Sequence, residues 1–218
     1  MSEERFFLII DTETAGQKDQ TVADFGAVLV DAKTGFIEKQ IGVFVYEEYI
    51  GGRDLFYRTN VPPDHFWSKR RAKLRKIEGE EMVKTGQRWI GAVAKINEWL
   101  AEINAKYSPI FTAYNWGFDR TVCRRSGINV DIAKNIDTNN WCLMQRSRKT
   151  FLSDIEYLDW AIGKGFLTET GRAQCTANSV AQFLFRDGDY PPEPHTSLED
   201  ARDYEAPILL ELRRRGAI

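Results

Sequence analysis

Phe6, Phe7, Leu8, Ile9 and Ile10 form an unbroken apolar run that stops at Asp11, Thr12, Glu13 and Thr14. Large apolar residues without alternation suit a strand covered on both faces near the middle of a sheet, with a buried helix as the competing reading. Two further β-like stretches follow at 22–31 and 36–46, joined through Lys33, Thr34 and Gly35. Three strands with such short links predict an antiparallel meander. Regular patterning then breaks down over 47–85, a stretch rich in Gly, Pro, aromatic and charged residues that reads as an insertion. Helical spacing returns with Ile90, Val93, Ile96, Leu100 and Ile103, a stripe able to cover one face of a sheet. Residues 109–114 read as a short strand, which makes the stripe a right-handed crossover between parallel neighbours.

Beyond that strand, Arg120, Arg124 and Arg125 fall on a short helix closed by Gly127. Residues 135–138 are expected as an edge strand, 141–146 as a helix, and 176–185 as a helix capped by Thr176 or Asn178. Pro191, Pro192 and Pro194 stiffen the chain that delivers His195, because each proline fixes its own φ and restricts its predecessor. Thr196 and Glu199 have the spacing of a capping box, which starts a last helix and leaves Asp200 free. That helix places Leu198, Ala201, Ile208 and Leu212 inward, and Pro207 should kink or divide it.

At 218 residues and 43% hydrophobic, the chain fits a single domain carrying the insertion at about 47–85. The net charge of -2 gives no global attraction for nucleic acid, so a polyanion has to be held by local basic patches and bound metal. The densest such patch comprises Lys69, Arg70, Arg71, Lys73, Arg75 and Lys76, close to His65, Phe66 and Trp67. It reads either as a nucleic-acid contact or as a solvated helix face balanced by Glu78, Glu80 and Glu81. Cys123, Cys142 and Cys175 are odd in number and widely spaced, which fits neither a disulfide framework nor a zinc pair. Reduced thiols, an acidic start and no apolar run of membrane-spanning length point to a soluble, cytoplasmic protein that uses no membrane.

Asp11 and Glu13 share one side of a strand and Thr12 the other, so two acids meet at the strand's carboxyl end. Both can stay ionised cheaply only if a cation sits between them, and hard oxygen ligands favour Mg²⁺ or Mn²⁺. An isolated Asp-x-Glu is more often an acidic surface turn, a lone Asp119 a helix cap, and a lone His195 an ordinary loop residue. Asp11, Glu13, Asp119 and Asp200, each beside an element end, are together the parts of a two-metal phosphodiester site.

Asp11-Thr12-Glu13-Thr14, Asn115-x-x-Phe118-Asp119 and His195-Thr196-x-Leu198-x-Asp200-Ala201 together resemble the motifs of the DEDD 3′-5′ exonucleases of the ribonuclease H-like superfamily. His195 places the resemblance in the DEDDh subgroup, since Thr196 stands where a tyrosine subgroup carries its tyrosine. The resemblance implies an α/β fold, with a mixed sheet of about five strands flanked by helices. It also implies two divalent ions: Asp11, Glu13 and Asp200 hold one, and Asp11 with Asp119, largely through water, holds the other. His195 would take the proton of the attacking water, and activity is expected to rise from acidic to mildly alkaline pH as His195 loses its own proton.

The backbone from Thr12 to Thr14, with Asn115 and Phe118, would line a pocket for the terminal nucleotide. Trp116 would either stack on a base or anchor its helix in the core. The implied product is a nucleoside 5′-monophosphate and the partner a single-stranded or frayed 3′ end. DNA is favoured over RNA because 47–85 offers basic and aromatic residues for a longer strand. RNA trimming, and a binding module without catalysis, are the alternatives. No protein partner is indicated, and the assembly is expected to be a monomer or homodimer.

Overall fold

The computed structural model describes residues 6–49, 53–132 and 141–218, and in it the apolar run opens strand β1 (Phe6–Ala15), which continues through the acidic residues rather than stopping at them. After it come β2 (Thr21–Asp31), β3 (Ile37–Val45), a short helix α1 (Tyr46–Tyr49), α2 (Lys69–Lys84), β4 (Trp89–Gly91) and α3 (Val93–Tyr107). The chain goes on through β5 (Ile110–Thr112), α4 (Trp116–Arg125), a 3₁₀ turn (Val130–Ile132), α5 (Leu143–Phe151), α6 (Ile155–Gly163) and α7 (Ala177–Leu184). It finishes with α8 (Ser197–Glu199), a π-helical turn (Asp200–Glu205) and α9 (Ala206–Arg214).

The five strands lie in the order β4-β3-β2-β1-β5, with β2 antiparallel to both neighbours and the outer pairs parallel. The meander is as the pattern predicts, and the mixed five-stranded sheet is as the resemblance implies. Ile90 is not part of the helical stripe: it pairs with Phe44 as the middle of edge strand β4. Helix α3 therefore joins strands at opposite edges of the sheet instead of parallel neighbours. The strand expected at 135–138 lies outside the described residues. Helix α5 starts two residues later than the pattern suggests, and α6, capped by Asp154 accepting from Glu156 N, adds a helix the pattern leaves unassigned.

Because successive side chains on a strand point to opposite faces, β1 feeds two cores at once. Phe7 and Ile9 pack with Val28 and Val30 beneath α5, α7 and α9, while Leu8 and Ile10 pack with Phe25 and Leu29 beneath α3 and α4. All four β1 residues are fully buried, each contributing about 1.5–3 kcal/mol of transfer free energy. A third cluster, Ala15, Ala23, Phe44, Tyr49, Leu55 and Ala72, lies under the 47–85 segment. That segment is tied to the end of β1 by Phe56 N donating to Thr14 O (2.8 Å) and Gly16 N donating to Asp54 O (3.0 Å).

The last helix is divided just before Pro207, which stands in the first turn of α9. Proline has no N–H to offer the carbonyl four residues back, and the Tyr190 hydroxyl donates to that carbonyl, Asp203 O, instead. The expected capping box does not form: Thr196 is the N-cap but its side chain makes no capping bond, and Glu199 pairs with the buried Arg88. Ser197 N donates to Asp24 Oδ2 (3.0 Å), which seats α8 directly on β2.

Candidate metal centre

The acids of β1, the first turn of α4 and the final helix converge in the interior. Asp119 is 3% and Asp200 2% exposed, so neither is turned to solvent. Thr12 Oγ1 donates to Asp119 Oδ1 at 2.8 Å, which ties the strand to α4. Glu13, His195 and Asp200 can each bring one ligand atom within 4.8 Å of the others, the one such group among the described residues. Asp11 and Asp119 lie outside that tight group, but Asp11 feels the charges of Glu205, Asp200, Asp119 and Glu13.

Burial dominates the electrostatics. It lifts Asp11 well above the usual carboxylate range, and the surrounding acids lift it further. Glu13 is raised to about 8 by burial, against the pull of Arg75 in the other direction. Asp119 is raised to about 7 by burial despite the Thr12 hydrogen bond, and Asp200 is pushed well up by burial and then by Glu193 and Glu13. His195 moves the opposite way, to about 4, through burial and then Arg75. Its Nδ1 stands 4.0 Å from Glu13 Oε1, and with the acid held protonated and the ring neutral near pH 7 this is a polar contact, not an ion pair.

His195 has a φ of 55°, in the left-handed region that side chains with a Cβ seldom occupy. Such a conformation costs on the order of 1–3 kcal/mol and persists where the surroundings enforce it. Here they do: the ring of Phe66 lies 4.1 Å and that of Trp67 5.3 Å from the imidazole. Arg75 sits over the same two rings, 4.5 Å and 5.1 Å from their centres.

Asp11, Thr12, Asn115, Phe118 and Asp119 line one cleft together with Glu193 and Glu205. Glu13 and His195 line a second, walled by Arg75, Tyr49 and Met82. Two expected pocket residues are placed elsewhere. Trp116 is 2% exposed, sharing the inward face of α4 with Val122 and Cys123, so it is the anchor and not the stacking platform. Thr14 is buried outside both clefts, and its carbonyl is taken by Phe56.

Sequence reasoning did not reach Glu193 or Glu205, nor the inward role of Arg75. Glu193 has a local signal, lying between prolines just ahead of His195. Glu205 has none at helical spacing, because it stands five positions past Asp200. A π turn, with its i→i+5 bonding, brings residues five apart nearer to one face than an α-helix does, and Glu205 is the last residue of that turn. In the basic cluster, Arg75 and Lys76 turn inward, the latter donating to Arg53 O at 3.0 Å, while Lys69, Arg70 and Lys73 are exposed.

The donor set suits hard divalent cations. Asp11 Oδ2, Asp200 Oδ1 and Glu205 Oε2 are buried without a hydrogen-bond partner, and carboxylate oxygens are the preferred ligands of Mg²⁺ and Mn²⁺. All three cysteines are buried and free, and Cys175 lines the cleft with Asp11, Asp119 and Glu205. No helix among the described residues is long and apolar enough to cross a membrane.

No protein-family model matches the chain, and no curated protein does. Solved structures do. The nuclease domain of 3'hExo, a DEDDh family member, bound to rAMP, matches at a TM-score of 0.50 and 15% identity over 99% of this chain and 95% of that one. A full-length 3′-exonuclease matches at 0.54 and 13% identity over 99% and 84%. A 3′-exonuclease in 3′-end specific recognition of histone mRNA stem-loop matches at 0.52 and 15% identity over 100% and 85%. At these identities the likeness is one of fold: this chain has the mixed five-stranded sheet and flanking helices of the DEDDh nuclease domains.

Proposed function

We propose that this protein is a divalent-metal-dependent 3′-5′ exonuclease that releases nucleoside 5′-monophosphates. The observation that carries the reading is the meeting of Glu13, His195 and Asp200 within 4.8 Å, beside half-buried Asp11 and buried Asp119, on this fold. Mg²⁺ or Mn²⁺ held by Asp11, Glu13, Asp119 and Asp200 would supply Lewis-acid activation of water and offset charge on the departing 3′ oxygen.

The remaining work falls to the chain. His195, kept neutral by burial and Arg75, accepts the proton of the attacking water at a ring nitrogen. The Phe66 and Trp67 rings fix the imidazole's orientation. Asn115 and Phe118, exposed at the cleft that Asp11 and Thr12 also line, receive the terminal nucleotide, with Phe118 offering a ring for stacking. A terminal nucleotide must leave its duplex partner to enter, so single-stranded or frayed ends are the substrate.

DNA is the first polymer proposed, supported by the exposed Lys69, Arg70 and Lys73 of α2, which can follow a longer strand. RNA is the second, favoured by structural neighbours described with rAMP bound and in recognition of a histone mRNA stem-loop. The test is digestion of 3′- and 5′-labelled DNA and RNA, single- and double-stranded, with Mg²⁺, Mn²⁺ or chelator. Stepwise shortening from the 3′ end that stops in chelator supports the reading. Binding without shortening under every metal, or cutting of a covalently closed circle, overturns it.

A further inference from the structure

We propose that Glu205 is a fifth carboxylate of the metal centre, ligating through Oε2 the divalent cation that Asp11 and Asp119 share. This rests on the metal-dependent reading above and extends it to a residue outside the three sequence motifs. Glu205 is 2% exposed and closes the π-helical turn that begins at Asp200. A π turn inserted in an α-helix is rare and occurs frequently at functional sites. Here the wider turn carries an acid five residues past Asp200 into the cleft that Asp11 and Asp119 line.

The carboxylate is held at one end and open at the other. The Tyr114 backbone N–H, just beyond β5, donates to it, whereas Oε2 is buried and has no partner. An apolar residue of similar volume would be less costly if the position were only core. A cation between Glu205, Asp11 and Asp119 satisfies the orphaned oxygens of Glu205 and Asp11 together.

The test is a Mn²⁺ titration of the intact protein, by calorimetry and by electron paramagnetic resonance, with a saturating nucleoside 5′-monophosphate to complete the coordination. Asp119→Asn identifies which ion is shared. Glu205→Gln is expected to weaken that same ion about tenfold or more, with an unchanged or higher metal-free melting temperature. Glu205→Met, matched in volume, should do the same and covers the case in which the amide folds poorly. Wild-type affinity for that ion in both variants overturns the assignment while leaving the exonuclease reading intact. A wild-type protein that takes up no Mn²⁺ sinks both.

Discussion

The Arg75 guanidinium, carried by α2, lies 3.3 Å from the Glu13 carboxylate on β1. The same side chain donates through Nη2 to Phe56 O (3.0 Å) and covers the rings that pack on His195. One residue of the 47–85 segment thus touches a metal-ligand candidate and sets the surroundings of the proposed base. Arg75→Ala should destabilise the metal-free protein by about 1–3 kcal/mol, the scale for leaving buried polar partners unpaired. Because Arg75 helps hold His195 low, the variant's imidazole should titrate above about 4 by NMR. A resonance that keeps its midpoint would mean burial alone sets the value.

Metal-free stability should fall as pH rises. Glu13, Asp119 and Glu193 titrate in the fold at about 8, 7 and 7, and Asp11, Asp200 and Glu205 are raised as well. Unfolded, these acids lose their protons near pH 4, so between there and their folded values the native state binds more protons and each pH increment favours unfolding. His195 works the other way, adding stability as pH rises from about 4 to 6.5, which leaves pH 6.5–8.5 as the clean window. Melting temperature should drop across that window in chelator and recover with Mn²⁺. Asp200→Asn, by removing one of the mutually repelling acids, should raise the metal-free melting temperature and flatten the slope.

Activity should nonetheless rise between pH 6 and 8, for a reason different from the one the sequence suggests. A neutral imidazole at about 4 has lost its proton well below that range, whereas Glu13 and Asp119 must shed theirs to hold a cation. Raising the metal concentration should therefore move the acid limb to lower pH. His195→Ala should cut kcat by about 10²–10⁴, the usual contribution of a general base, and leave the limb where it was. If the limb disappears in that variant, His195 itself sets it.

Most of the scaffold is legible from periodicity, because the β1 run, the meander and the stripe from Val93 to Ile103 are dictated by burial on defined faces. The misreadings share a cause in tertiary pairing. Ile90 fits a helical stripe by spacing, yet it is claimed by the edge of β3. Glu199 has capping-box spacing, yet Arg88 reaches it from 111 positions away. Asp11 and Glu13 could be found because they interrupt the apolar run along which β1 continues, and Asp119 and Asp200 because each lies in the first turn of a helical element. Glu205 could not, since a 3.6-residue period gives no hint of a π turn, and Arg75 looked like one more member of a solvated basic run.

That run divides into two functions, and the division can be measured. Lys69, Arg70 and Lys73 are exposed on α2, while Arg75 and Lys76 are engaged by the protein. Reversing Lys69, Arg70 and Lys73 to Glu should leave folding intact and weaken binding of a long single strand. Its log–log salt slope should shrink by about 0.7 for each phosphate that is no longer neutralised. A nucleoside 5′-monophosphate, which occupies only the terminal-nucleotide site, should bind as before. An unchanged salt dependence for the long strand would return these residues to the role of a solvated face.

The position of Asp200 depends on a glycine one strand away. A Cβ on Gly26 of β2 would lie 2.2 Å from Ser197 C and 2.3 Å from Leu198 N, both backbone atoms of α8 that cannot swing aside. Gly26→Ala must therefore push α8 off the sheet, at a cost of about 1–3 kcal/mol for overpacking, towards the upper end because backbone has to move. Asp200 follows α8 directly, so the shift carries it away from Glu13 and breaks the group with His195. Mn²⁺ affinity should fall together with stability. Gly35→Ala is the control: its φ of 78° makes alanine strained there, but the nearest side chain is Leu210 at 3.5 Å and the metal site is remote, so stability should fall without metal affinity. Wild-type metal affinity in a folded Gly26→Ala protein would show that the acids gather without the close seat of α8 on β2.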